Sequence, residues 1–361
     1  MFEKIIDYVD NVIIKEKGIP YFDISVTKGG KEVFRHFNNL SGNSLGNEKL
    51  YMYSCSKVIT ATATMMLVER GVLSLDDEVS KYLPCFNNAY LLNSGEKVKP
   101  KKPITIKHLL TMSAGLDYYF EKEDIENAFI KNPNSTTLDI MQEIVKAPLN
   151  FEPGEKFCYS LCHDVLGAVI EVASGLKFSD FICENIFKPL GMTNSTFKRD
   201  NLNFEKLYYA SNGKVIPFPY EEVRWANSPC YESGGGGLKS TVEDYQKFST
   251  ALSIENEILL KSKTIDLLTT NASDDLSIKN SFTCVQGKDY GYGLGVRVRK
   301  VKSPSNIPVG EFGWDGAAGS YCLIDRKNQI SVVMGMHVRN WPNVFTNEHL
   351  KIVDMIYKDI L

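Results

Sequence analysis

The sequence predicts an α/β (α+β) fold in which one antiparallel sheet, built from both ends of the chain and flanked by helices, receives an inserted all-helical lobe. Three observations carry this. Residues 21–37 alternate apolar and polar side chains on either side of Gly29-Gly30, and the same period of two returns from Tyr290 onward. Between them, residues of about 75–250 show helical spacing, with Ser or Thr starts and Gly or Pro stops. The expectation is a single domain over 1–361, with 1–74 and 251–361 forming an α/β lobe and 75–250 a mainly helical one.

In chain order, Ile5, Ile6, Val9, Val12 and Ile13 stand at helical spacing among charges, which makes an amphipathic helix. A signal peptide would need an uninterrupted apolar stretch, so a cytoplasmic protein is expected. "YFDISVTKGGKEVFRHF" reads as a hairpin turning at its two glycines. "MYSCSKVITATATMMLVERG" (52–71) is apolar nearly all round, so it should be a buried helix, ended by Gly71. "TIKHLLTMSAGL", "TTLDIMQEIVKAP", "LCHDVLGAVIEVASG", "FSDFICENIFKPLGM" and "STVEDYQKFSTAL" supply the helices that follow. "YGYGLGVRVRKV", "AAGSYCLIDRKN" and "QISVVMGMHVR" alternate as strands, with a turn at Arg326-Lys327-Asn328, and "NEHLKIVDMIYKDIL" closes the chain as an amphipathic helix.

With 41 basic and 44 acidic residues the net charge is -3, which offers no field for nucleic acid or anionic lipid. No apolar run reaches transmembrane length. The eight cysteines (55, 85, 158, 162, 183, 230, 284 and 322) show no C-x-x-C pairs, so they read as buried thiols and not as a disulfide framework. Cys158, Cys162 and His163 lie close together, but no second cluster completes a metal ligand set.

A lysine at the start of a buried helix is costly unless something uses it. Ser54 and Lys57 stand three residues apart, on one face and one turn from each other. A serine at a helix start sits in the positive end of the dipole, which favours an alkoxide, and a lysine in a dry site can act as its base. Six serines have a lysine three residues on: Ser25, Ser54, Ser94, Ser174, Ser195 and Ser211. Only Ser54 opens a long buried helix; the others lie in the hairpin, in glycine turns or after a helix end. The competing reading is an N-capping serine with a snorkelling lysine.

Two later stretches favour chemistry. "EPGEKFCYSLCHDVLG" places Tyr159 in a loop just before a helix expected to be capped by Ser160, and "FGWDGAAGSY" lets backbone approach a ligand. Ser-x-x-Lys, then a Tyr-Ser-x loop, then a glycine-ended triplet on a late strand resembles the serine β-lactamase and penicillin-binding-protein superfamily, in particular class C β-lactamases and the β-lactamase-like (family VIII) esterases. "LLTMSAGL", "YSLCHDVLGAVIEVASG", "KPLGMTNSTF" and "SGGGGLKSTVEDYQKF" extend the likeness over nearly the whole chain. It implies that Ser54 is the nucleophile, Lys57 its proton partner and Tyr159 the second base. The N–H groups of Ser54 and Ala317 would form the oxyanion hole. No cofactor or metal is implied.

The sequence departs from that pattern twice. Leu161 stands where Tyr-x-Asn is usual, and Trp314-Asp315-Gly316 stands where Lys-Thr-Gly or His-Thr-Gly is usual. These four positions would meet the substrate. Trp314 would present an apolar plane and Asp315 a like charge to an incoming carboxylate, with Arg297 or Arg299 as possible rescuers. The leading expectation is therefore a serine hydrolase forming an acyl-enzyme on Ser54, an esterase or amidase of small neutral substrates. A β-lactamase or D-alanyl-D-alanine peptidase is the alternative. A non-catalytic binding or sensor module that kept the cleft is the alternative of another class. Partners would be small esters, amides or lactams, with no nucleic acid and no membrane. His163 reads as a satisfied structural histidine, His337 ends a core strand, Trp225 precedes a turn, and "SGGGG" (233–237) lets strand and helix backbones pack closely.

Overall fold

The structure, a computed structural model, describes residues 1–118, 121–199, 204–218, 228–270, 272, 277–278, 289–302, 305–342 and 344–361. Trp225 and Cys284 lie outside the described residues; the seven described cysteines are free thiols.

Seven strands form one antiparallel sheet. They are β1 (Tyr21–Lys28), β2 (Lys31–Asn39), β3 (Tyr290–Tyr292), β4 (Arg297–Arg299), β5 (Phe312–Asp315), β6 (Tyr321–Asp325) and β7 (Ile330–Gly335), in the spatial order β3-β4-β5-β6-β7-β1-β2. The two ends of the chain meet where β1 pairs with β7, Asp23 opposite Gly335 and Val26 opposite Val332. Gly29 and Gly30 turn the β1–β2 hairpin with φ of 58° and 79°, the left-handed pair that a tight two-residue turn demands.

Alternation along the strands sorts side chains between two cores. Phe22, Ile24 and Val26 of β1, Leu323 of β6, and Val332 and Met334 of β7 face the terminal helices: Ile5, Val9 and Ile13 at the N-terminus, Ile352, Val353 and Ile356 at the C-terminus. Phe312, Trp314, Cys322, Ile324 and Val333 face the other way, into the larger core shared with helices α1 (Ser56–Glu69), α2 (Cys162–Ser174) and α3 (Val242–Ser253). The C-terminal helix α4 (His349–Ile360) is tied to the opposite terminus, because the Phe2 N–H donates to the Asp359 carboxylate.

The sequence reading puts residues up to 250 with the helical lobe, yet α3 lies on the sheet against β1, β6 and β7. Its Gln246 amide donates to Ser331 Oγ at 2.5 Å and to Thr27 Oγ1 at 3.2 Å, while Val242, Tyr245 and Phe248 enter the core. Among the described residues, no helix is long and apolar enough to cross a membrane.

Candidate active site

The chain approaches Ser54 along a two-residue strand, Leu50–Tyr51, paired antiparallel with Lys239–Ser240. Met52 is held on both sides: its N–H donates to Leu238 O at 2.9 Å, and its carbonyl accepts from Ser320 Oγ at 2.8 Å. Tyr53 then takes φ of 44°, in the left-handed region that a bulky residue adopts only under constraint. A single 3₁₀ turn, Tyr53–Cys55, leads into α1. Ser56, not Ser54, ties the helix start, donating to Tyr53 O at 2.5 Å and accepting from Leu238 N at 3.0 Å. The Ser54 hydroxyl instead accepts from Lys57 Nζ at 3.1 Å and from Tyr159 OH at 2.7 Å.

Helix α1 is buried on all sides from Ser56 to Leu67, and its threonines close on backbone oxygens. Thr62 bonds Val58 O and Thr64 bonds Thr60 O, both at 2.8 Å, so the polar groups of a buried helix are satisfied locally. Lys57 has no exposed surface. Its Nζ donates to Gly235 O at 2.6 Å, Ser54 Oγ at 3.1 Å and Tyr118 OH at 3.1 Å. A carbonyl can only accept, so one N–H is committed to Gly235 whatever the protonation state; the remaining directions point at hydroxyls.

The phenol of Tyr159 is fixed by three contacts with two neighbours. Trp314 Nε1 donates to its OH at 3.1 Å, the two rings stack at 5.5 Å, and Lys57 Nζ lies 4.7 Å from its ring centroid. An indole N–H only donates, so the Tyr159 oxygen accepts from Trp314 and passes its own hydrogen toward Ser54. Tyr292 meets Trp314 edge-on at 5.2 Å. Burial pushes the Tyr118 and Tyr292 phenols well above the ordinary range, so both stay protonated. Tyr118 is missed by sequence reasoning: it lies in a loop 61 residues from Lys57, and only the fold brings them together.

The sequence-derived positions around this trio fare differently. Gly316 sits where a Cβ would stand 2.0 Å from Ser320 Oγ and 2.3 Å from Met52 O, so the end of β5 packs directly on the backbone leading to Ser54. Ala317 is exposed at the tip of the turn that Gly319 closes by donating to Gly316 O at 2.9 Å. Leu161 caps α2 with its backbone and is buried in the core. Ser160, expected to cap that helix, does not: its hydroxyl lies 3.1 Å from Cys162 Sγ, and no side chain caps the α2 N-terminus.

Asp315 is corrected as a group facing substrate. Alternation sends it to the opposite face of β5 from Trp314. There its carboxylate pairs with Arg297 at 2.9 Å and lies 3.1 Å from His349 Nδ1 of α4. Arg297 is thereby spent, also donating to Cys322 O, and Arg299 donates to Tyr290 OH and Ser305 Oγ. Neither arginine is a rescuer on the Ser54 side.

The glycine run 233–237 packs between two helices, where a strand–helix contact is expected from sequence. A Cβ on Gly234 would stand 2.3 Å from His163 O of α2 and 3.3 Å from Thr60 of α1. Thr60 Oγ1 donates to Gly234 O at 2.7 Å. His163 is buried as expected but not satisfied: neither ring nitrogen has a hydrogen-bond partner among the described residues. Burial, then the charge of Lys57, drives its pKa well below the usual value, so the ring is neutral. His337 is likewise pushed down to about 4 by burial; its Nε2 accepts the Tyr51 N–H at 3.0 Å.

Residues 7–352 match the family model described as Beta-lactamase. Esterase EstB of Burkholderia gladioli is 26% identical over 359 residues, covering 91% of this chain and 88% of that protein. The lovastatin esterase of Penicillium rubens is 30% identical over 236 residues, 61% of this chain and 59% of its own length, so the chain spans less than two thirds of that relative. Among solved structures, EstCE1, a hydrolase with promiscuous acyltransferase activity, superposes with a TM-score of 0.81 at 24% identity, covering 98% of this chain and 97% of its own. Family match and fold thus agree from one terminus to the other: the chain belongs to the beta-lactamase family and is a hydrolase.

Proposed function

We propose that the protein is a serine esterase or amidase that acylates Ser54 and releases the acyl group to water, acting on small neutral substrates. The observation that carries this reading is one hydroxyl, Ser54 Oγ, within hydrogen-bond reach of both an anchored amine and an oriented phenol. Ser54 Oγ attacks the carbonyl carbon while its proton passes to Lys57 or Tyr159. The resulting oxyanion is met by the N–H groups of Ser54 and Ala317. As the tetrahedral intermediate collapses, Tyr159 gives a proton to the leaving oxygen or nitrogen; the same pair then takes one from the water that cleaves the acyl-enzyme and returns it to the departing Ser54 Oγ.

Neutral substrates are favoured by what the third motif lacks. A carboxylate-bearing lactam or peptide needs a cation and a hydroxyl at the positions of Trp314 and Asp315. Here the indole N–H is occupied by Tyr159, and the aspartate is turned away to Arg297. A polar partner lost to a buried group costs roughly 1–3 kcal/mol, so kcat/KM for p-nitrophenyl butyrate is expected to exceed that for nitrocefin by about a hundredfold or more. The test is both substrates on one preparation. Faster turnover of nitrocefin would return the protein to the β-lactamases, and turnover of neither would favour a binding module.

A further inference from the structure

Asp164 lies in the first turn of α2, is 1% exposed, and is a carboxylate that the trio of Ser54, Lys57 and Tyr159 does not use. Its Oδ1 accepts from Tyr231 OH at 2.7 Å and from Ser233 Oγ at 2.5 Å. Ser233 in turn closes the glycine loop, its hydroxyl accepting from Gly236 N at 3.0 Å and its carbonyl from Gly237 N at 2.8 Å. The second carboxylate oxygen presses on the loop itself: a Cβ on Gly235 would stand 2.3 Å from Asp164 Oδ2. The carbonyl of that same Gly235 receives Lys57 Nζ at 2.6 Å. One glycine therefore separates a buried carboxylate, hydrogen-bonded by hydroxyls, from a buried amine.

We propose that Asp164 is a positioning residue for Lys57, holding the 233–237 loop so that Gly235 aims the amine at Ser54. A buried charge without a partner of opposite sign is expensive, and the loop brings these two to opposite sides of one residue. The titratable groups around Asp164 and Lys57 are Tyr118, Tyr159, Tyr231, Cys162 and His163. Burial keeps Tyr118 protonated, with the nearby charge of Asp164 adding to the effect, and His163 neutral. Any Cβ at 235 would force the Asp164 carboxylate to shift.

The inference rests on Lys57 serving Ser54, so the experiment separates the two ideas. The rate of fluorophosphonate labelling and kcat and KM for p-nitrophenyl butyrate are followed against pH in the wild type, Ser54→Ala and Asp164→Asn. Loss of the adduct in Ser54→Ala supports the nucleophile; an adduct that persists there removes that reading and this inference with it. With the nucleophile in place, Asp164→Asn should slow fluorophosphonate labelling by roughly tenfold across the pH range, because the loop no longer aims the amine at Ser54. It should also lower plateau kcat by roughly tenfold with KM nearly unchanged. A wild-type labelling rate and wild-type kcat in a cooperatively melting Asp164→Asn protein overturn the inference while leaving Ser54 untouched. Should Asp164→Asn fail to melt cooperatively, Tyr231→Phe takes its place. Removing one of the hydroxyls that hold the carboxylate should lower kcat in the same direction with KM nearly unchanged, and an unchanged kcat is again the contrary result.

Discussion

Lys57 donates to three oxygens, of which Gly235 O is the one that cannot give a proton back. A residue that shuttles a proton there must exist as a neutral amine, which arginine cannot do. Lys57→Arg should therefore lose activity nearly as fully as Lys57→Ala; near wild-type turnover of p-nitrophenyl butyrate by the arginine variant would show that charge alone suffices. Tyr159→Phe keeps the stacked ring and removes the oxygen that links Trp314 to Ser54, so kcat should fall by about a hundred- to ten-thousand-fold. A fall of only a few-fold would remove Tyr159 from proton transfer. Ser54 and Lys57 stand out in the sequence because theirs is the one Ser-x-x-Lys that opens a long apolar helix, and Tyr159 because the order of the three motifs resembles that of the superfamily. Tyr118 is not legible, since a tyrosine in a loop carries no periodicity that marks it. The second use of Trp314 is hidden for another reason: its bulk suggests an apolar wall, while the fold assigns its N–H to the Tyr159 oxygen.

Helices and strands decide what single residues cannot. The triplet Trp314-Asp315-Gly316 reads in sequence as one unit facing the cleft, but within a strand adjacent side chains point to opposite faces. Trp314 joins Tyr159, and Asp315 joins Arg297 and His349 under α4. Breaking a buried ion pair from one side costs about 3–5 kcal/mol. Asp315→Asn should lower the urea midpoint accordingly, without raising nitrocefin turnover. A gain in nitrocefin hydrolysis would mean that the aspartate does repel the substrate carboxylate. Gly316→Ala tests the other neighbour. Its Cβ has no room between Ser320 Oγ and the Met52 carbonyl, so the variant should lose about 1–3 kcal/mol by overpacking and displace the backbone before Ser54. Wild-type stability with wild-type activity would contradict that contact. The hairpin and the buried helix were legible at this scale because their turn glycines and apolar runs act locally. The α2 cap was not, because Ser160 engages a neighbouring thiol in place of the helix backbone.

Over the whole molecule, the sheet that joins the two ends of the chain was legible from the return of two-residue alternation after Tyr290. The place of α3 on that sheet was not, because an amphipathic helix does not announce which layer it covers. The same packing makes the fold sensitive to acid. His337 is buried and neutral, its pKa lowered from 6.5 to about 4, whereas the unfolded chain binds the proton at the ordinary value. Its contribution to stability is thus complete above pH 6.5 and is lost as pH falls toward 4, by about 3 kcal/mol in all. His163 acts in the same direction. Urea midpoints across this range should fall further for the wild type than for His337→Gln; equal slopes would mean that this ring is not the sensor. The most direct measurement of the central claim is intact mass after incubation with a fluorophosphonate, on the wild type and on folded Ser54→Ala. A single adduct on the wild type that is absent from the variant is the expected result. No adduct on folded wild type, or an adduct that survives in Ser54→Ala, would contradict acylation at Ser54.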